Sequence, residues 1–253
     1  MRVALLHLDL SGGPEEKNLK LLERTIQMAA EQGAGWIITP EIALQGYFFA
    51  ADGIVGEVPV QPGASLQVLG ELATRHGLTL FLGCAEKDAV SGKPYNSCVV
   101  LGPHRRILGR HRKMRSHGVG AEAWLTLGEV LQPVVCPDMT AGILICADVW
   151  FVENAVVLKE CGAEVIIVPA AWPPGVCGPG DSWEKCSQAS GLPVWVCNQT
   201  GCHEILDLRA AQSAVVADGI TWFTYSGEPA ILLFDWDCRR QCPESEEFTV
   251  MAV

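Results

Sequence analysis

The chain has 253 residues, 49% of them hydrophobic, and a formal net charge of −11 at pH 7. That length accommodates one large α/β domain or two small ones, and the apolar content excludes a disordered chain. The negative balance argues against general affinity for nucleic acid or anionic membranes, and no apolar run reaches membrane-spanning length.

Residues 2–9 read as a buried strand, and the opening MRVALLHLDL carries no signal-peptide pattern. Residues 14–33 predict a helix: Leu19, Leu22, Ile26 and Ala29 recur near helical spacing, and Gly33 suits the C-terminal cap. Residues 35–39 read as a second strand, closed by Pro40 and Glu41, so a βαβ beginning delivers Glu41 from its loop. A helix over 64–76 stops at Gly77. Residues 78–84 and 95–102 read as strands, and the GPHRR turn points to antiparallel pairing in this region. From Gly109 to Gly128 the chain is polar, has little apolar periodicity and carries Lys113, so an ordered loop with one helical turn is expected.

A second strand–helix–strand unit follows: strand 141–145, Cys146, helix 151–161 ending at Gly162, then strand 164–169. WPPGVCGPG is a Pro/Gly loop, residues 181–190 form a helix, and PVWVCNQ is a strand ending at Asn198. The final third alternates strands (SAVVADG, ITWFTYSG, PAILLFDWD) with turn signals. With no charged linker, repeat or low-complexity tract, residues 1–253 are read as one domain. Strands apolar on both faces need cover on both. The expected fold is therefore α/β, a four-layer α-β-β-α sandwich of two mixed sheets with outer helices.

Eleven cysteines, an odd number, are scattered through apolar stretches with no compact framework. This favours reduced thiols, mostly core fillers, and a cytoplasmic location. Cys197, Cys202 and His203 lack the paired spacing of a four-ligand zinc site, so no metal is expected.

One cysteine stands apart. Cys146 ends the apolar run Ile143-Leu144-Ile145 and precedes Ala147 and Asp148, beyond the carboxyl end of a strand, where open α/β sheets hold their chemistry. Alone it is either a buried structural thiol or a nucleophile needing a base or a cation nearby. Glu41, in TPEIALQGY, is either a solvated loop acid or, if enclosed, a general base with raised proton affinity. Lys113, in GRHRKMRS, is either part of a solvated basic run or an oxyanion stabiliser pointing inward.

PEIALQGY, HRK and ICADVWF, in that order, resemble the carbon–nitrogen hydrolases of the nitrilase superfamily, and the likeness runs from VALLHLDL to LLFDWD. Cys146, Asp148, Phe151 and Glu153 match the family's Cys-x-Asp-x-x-Phe-Pro-Glu pattern, with Val152 in place of proline; VPAAW and CNQTG are similar to family segments, with Gln199 where arginine is common. The resemblance implies a Glu–Lys–Cys triad: Glu41 as general base, Lys113 as oxyanion stabiliser and Cys146 as nucleophile. It implies a second glutamate after the lysine, for which Glu122 is the candidate and Glu129 the competitor, although Leu127 replaces the usual proline and the spacing to Gly128 differs by one residue. Tyr47, Ala147, Trp150 and Trp172 are the expected substrate-binding residues. The implied reaction is hydrolysis of a non-peptide C–N bond, most simply of a small carboxamide, through a cysteine thioester and without a cofactor. A nitrile or N-carbamoyl substrate, acyl transfer, and a silent binding protein of the same fold are the alternatives. The implied assembly is a homodimer or higher homo-oligomer, compatible with the apolar Phe151, Val152, Val156 and Val157.

Overall fold

In a computed structural model, which describes residues 1–10, 12–50, 58–104, 106–116, 118 and 120–253, the first strand already has two apolar faces. In β1 (Arg2–His7), Val3 and Leu5 enter one buried cluster while Ala4 and Leu6 enter another. This is the period-two alternation of a strand covered on both sides. The first sheet adds β2 (Trp36–Ile38), β3 (Thr79–Lys87), β4 (Pro94–Leu101) and β5 (Ile107–Arg112) on one flank of β1. Its other flank carries C-terminal strands, introduced below.

The second sheet is built from β6 (Val134–Val135), β7 (Thr140–Ile143), β8 (Val165–Ala170), β9 (Val194–Asn198), β10 (Ser213–Ala217) and β11 (Ile220–Tyr225), in the order β11-β10-β9-β8-β7-β6. The chain then returns to the first sheet through β12 (Ala230–Asp237), β13 (Cys242–Pro243) and β14 (Thr249–Ala252). The first sheet thus reads β13-β12-β1-β2-β3-β4-β5, with β14 also paired to β12.

Helices α1 (Glu15–Glu31) and α2 (Ala64–His76) cover the outside of the first sheet: Leu22, Ile26, Leu66 and Leu69 pack with Ala4, Leu6, Leu80 and Leu82. Helices α3 (Val152–Glu160) and α4 (Ser182–Ser190) place Ala155, Leu158, Trp183 and Cys186 in the cluster that also fills the space between the sheets. At its centre Trp195 meets Trp36 at 6.0 Å and Trp236 at 5.2 Å, both edge-on, pairs worth about 1 kcal/mol each beyond their burial. Two mixed sheets with helices outside give the expected sandwich.

Strands β1, β2 and β3 are parallel, as are β7, β8 and β9. β5, antiparallel to β4 as β4 is to β3, again runs in the β3 direction. The carboxyl ends of β2, β5, β7, β8 and β9 therefore deliver the segments that matter chemically.

The expected loop from Gly109 to Gly128 requires correction. Residues 109–112 belong to β5, where pairing to β4 overrides the lack of apolar periodicity. Their alternation is polar: Arg110 and Arg112 reach Glu86 on β3, while His111 turns inward and is buried. The strand before Cys146 also ends earlier than expected, at Ile143, and residues 146–150 form a 3-10 turn ahead of α3. The sequence reading does not distinguish β6 or β13, each of two residues. All eleven cysteines are free thiols and six are buried. Among the described residues no helix is long and apolar enough to cross a membrane.

Candidate active site

Glu41 leaves β2 through a tight turn in which Ile42 has φ of +46°, a conformation costly for a β-branched residue. The turn lies against β3, and a Cβ at Gly83 would sit 2.0 Å from the Pro40 carbonyl oxygen; only glycine permits that approach. The Glu41 side chain is completely buried. Its Oε1 accepts from Asn96 Nδ2 at 2.7 Å and Lys113 Nζ at 2.6 Å, and its Oε2 accepts from the Ala171 N–H at 3.0 Å. Gln199 Nε2 donates to the Glu41 carbonyl at 2.6 Å.

Lys113 follows β5. Its N–H donates to the Asn96 carbonyl and its own carbonyl accepts from Gly128 N–H, both at 2.8 Å. Gly128 is needed there, because a Cβ would meet the Arg112 carbonyl oxygen at 2.2 Å. The buried ammonium bonds Glu122 as well as Glu41. Glu122, in a 3-10 turn over Gly120–Glu122, also accepts from the Tyr47 hydroxyl at 3.3 Å.

Cys146 opens its 3-10 turn with φ of +49°. Asp148 fixes that turn to the end of β5. Its Oδ2 accepts from Ile145 N–H at 3.0 Å and lies 2.9 Å from His111 Nε2, while Oδ1 accepts from Met114 and Arg115 N–H at 2.9 and 2.8 Å. One carboxylate thus joins the Lys113 segment of one sheet to the Cys146 segment of the other.

Burial raises the proton affinity of Glu41, opposed by Lys113 and assisted by Glu122. Burial also pushes the Cys146 thiol well up, together with Glu41, against the pull of Lys113 and the Ala171 N–H. For Lys113 burial opposes the charge, but Glu41, Cys146 and Glu122 outweigh it, so the ammonium stays protonated.

A cleft of about 300 Å³ opens onto this group, lined by Tyr47, Lys113, Glu122, Cys146, Ala171, Trp172, Leu206 and the loop from Pro173 to Gly178. Of the predicted site residues, Glu41, Lys113, Glu122 and Cys146 are brought together, with Tyr47 and Trp172 beside them. Ala147, next to Cys146, is buried. Trp150 packs edge-on against the cleft-lining Trp172, ring centroids 5.2 Å apart. Glu129 borders a separate cleft with Lys93, Arg110 and Arg112. The Cys197 thiol points to the Leu6 and Ile38 carbonyls in the core, away from any shared site with His203, which stacks on Phe48.

Sequence reasoning missed Asn96 and the Ala171 N–H as partners of Glu41. The Pro/Gly loop after Trp172 forms one wall of the cleft, leaving the carboxyl end of β8, a position that is itself a signal.

The family model for carbon–nitrogen hydrolase matches residues 2–224. Among curated relatives, the hydrolase in the pqqF 5′ region of Pseudomonas protegens is 32% identical over 177 residues, 68% of this chain and 59% of that protein. A nitrilase of Pyrococcus abyssi is 31% identical over 67% of this chain and 64% of its own length. The omega-amidase NIT2 of Danio rerio is 29% identical over 68% of this chain and 63% of its own. The chain thus spans less than two thirds of the length of these relatives. Among solved structures, Nit3 of Saccharomyces cerevisiae, described as a member of branch 10 of the nitrilase superfamily, has a TM-score of 0.80 at 23% identity, covering 92% of this chain and 88% of that one. A cysteine-to-alanine mutant of the amidase from Nesterenkonia sp. AN1, in complex with butyramide, has a TM-score of 0.81 at 23% identity, covering 92% of this chain and 89% of that one. The family pattern runs from β1 into β11 and the same fold encloses it: the chain belongs to the carbon–nitrogen hydrolase family.

Proposed function

We propose that the protein hydrolyses a small carboxamide by covalent catalysis at Cys146. The carrying observation is the Lys113 ammonium held between Glu41 and Glu122 beside a cleft that Cys146 shares. Glu41 takes the thiol proton as sulfur attacks the carbonyl carbon. Lys113, with the N–H of Ala147, stabilises the oxyanion. The tetrahedral intermediate collapses by breaking the C–N bond, and the protonated Glu41 gives its proton to the leaving nitrogen. Water then loses a proton to Glu41 and attacks the thioester carbon; the thiolate leaves and is reprotonated by Glu41. A raised carboxyl pKa suits one group that must act as base and acid in turn. Glu122, bonded to both Lys113 and Tyr47, holds the ammonium in place. Trp172 and Tyr47 frame the acyl group.

The cleft volume, at the small end for ligand sites, favours a small substrate. A butyramide complex was solved for the cysteine-to-alanine mutant of the Nesterenkonia amidase, and a glutamate-to-glutamine mutant of that enzyme carries acrylamide joined to its active-site cysteine. The test is incubation with a panel of small amides, nitriles and carbamoyl compounds. Released ammonia together with an acyl adduct mapped to Cys146 is expected for the amides. Inertness across the panel, with no adduct, sinks the reading.

The eleven free thiols fit a reducing, cytoplasmic setting. Exposed Phe151, just before α3, and Val157 within it fit a homo-oligomer contact. A monomer by light scattering at micromolar concentration would remove that second proposal.

A further inference from the structure

We propose that Asn198 is a positioning residue for this reaction: its side-chain amide clamps the Trp172 peptide groups, so that the Ala171 N–H is held on Glu41 and the Trp172 ring walls the cleft. The inference rests on the hydrolase reading above.

Pairing of β8 with β9 ends at Ala170 opposite Asn198. Beyond that point no strand partner is available to Trp172, yet both its backbone groups are bonded by one side chain. The Trp172 N–H donates to Asn198 Oδ1 at 2.8 Å, and Asn198 Nδ2 donates to the Trp172 carbonyl at 2.9 Å. The carboxamide takes the place of a missing neighbouring peptide, and it needs an acceptor and a donor at once. Aspartate supplies no donor, and alanine supplies neither.

The preceding peptide, between Ala170 and Ala171, is held from its other side. Gln199 N–H donates to the Ala170 carbonyl at 3.1 Å, which aims the Ala171 N–H at Glu41 Oε2, 3.0 Å away. Three successive peptides are thus fixed just where β8 gives way to the Pro173–Gly178 loop.

Asn198 is itself anchored from behind. Its Nδ2 also donates to the Gln212 carbonyl at 3.1 Å, and its N–H donates to Ser213 Oγ at 2.9 Å. That hydroxyl is 2.9 Å from His7 Nδ1. His7, Asn198 and Ser213 are all fully buried. Burial lowers the His7 imidazole to about 4, so at neutral pH it is an uncharged hydrogen-bond partner. The network runs from the end of β1 to the cleft wall without touching Cys146, Glu41 or Lys113 directly, and so acts through the Ala171–Trp172 backbone.

The test uses Asn198→Ala and Asn198→Asp in the full chain, with two readouts. The first is kcat on a small amide, expected to fall about 10- to 100-fold in Asn198→Ala and less in Asn198→Asp, which keeps the acceptor for the Trp172 N–H. The second is the pH profile of iodoacetamide alkylation at Cys146, mapped by mass spectrometry. Freeing the Ala171 N–H removes a donor that favours the charged forms, so the alkylation midpoint should rise by about 0.5 pH unit or more. A native near-UV spectrum with an unchanged midpoint in both variants overturns the proposal, whatever their stability. Failure of both variants to fold would assign Asn198 to folding and also overturn it. Alkylation requires no turnover, so this result stands apart from the amide panel: a wild-type protein inert to every amide refutes the hydrolase reading, whereas the midpoint decides the role of Asn198.

Discussion

Glu41 and Glu86 are fully buried carboxylates delivered by the same sheet, each beside cations, yet their proton affinities move in opposite directions. Burial works to raise both. At Glu86 it is more than offset by Arg112, Ser97 and Arg110, so two guanidinium groups and a hydroxyl serve one carboxylate. Arg112 passes part of its charge to Asp88, and both arginines stay partly in solvent, which lowers the cost of their desolvation. At Glu41 one ammonium, sealed from water, is shared with a second acid, Glu122. A surplus of cations makes a permanent anion that ties strands together. A shared cation leaves an acid whose proton can come and go. The difference lies in the stoichiometry of the cations and their access to solvent.

The comparison is broken most severely by removing the sulfur. Cys146→Ala should cut amide turnover by about 10⁴-fold or more while the fold persists; appreciable residual hydrolysis in a steady-state assay would refute a thioester route. Next, Glu41→Gln should cost about 10³-fold in kcat/KM, whereas Glu86→Gln should leave kcat/KM within about 3-fold, because Glu86 lies one strand away on the guanidinium side. Equal losses in the two variants would dissolve the distinction between them.

In stability the ranking reverses. Glu86→Gln strands Arg110 and Arg112 beside a neutral group, and a loss of about 3 kcal/mol in urea unfolding is expected. Glu41→Gln should cost less than half of that. The pH dependence sharpens the contrast by sign. The Glu86 carboxyl is depressed when folded, so its stabilisation is present above the unfolded carboxylate value and is lost as pH falls through the folded one. The Glu41 carboxyl is raised, so its contribution is present below the unfolded value and is lost as pH rises through the folded one. Glu86→Gln should therefore flatten the acid side of the stability profile. Activity should fall on the acid side at a pH above the ordinary glutamate value of 4.5, as Glu41 becomes protonated. An acid limb below that value would exclude Glu41 as the base. The smallest effect is expected at Trp150→Phe, which keeps an edge contact to the cleft-lining Trp172 and should change KM by about 3-fold or less.

Much of this arrangement is legible in the sequence because the signals are local. Apolar alternation marks the strands of the sandwich, Gly77 stops α2 in a left-handed cap, and the motif residues Glu41, Lys113 and Cys146 each follow a strand end. What escapes is set by pairing across the sheet. Residues 109–112 look like a polar loop because both faces of β5 carry charged or polar groups, and only the acid on β3 makes that pattern a strand. Asn96 reads as an ordinary strand residue, yet its side chain meets Glu41 only after β4 is laid beside β3 and β3 beside β2. The Ala171 N–H leaves no mark in the sequence at all, since a backbone donor has no residue type.

Asp148 holds two peptide N–H groups just past Lys113 and one just before Cys146, bridging the halves of the sandwich. A slide of one sheet along the other would therefore strain these bonds and shift the Cys146 turn relative to Lys113. Turnover becomes a caliper for the gap between them: on gradual warming the enzyme should go silent while circular dichroism still registers every strand in place.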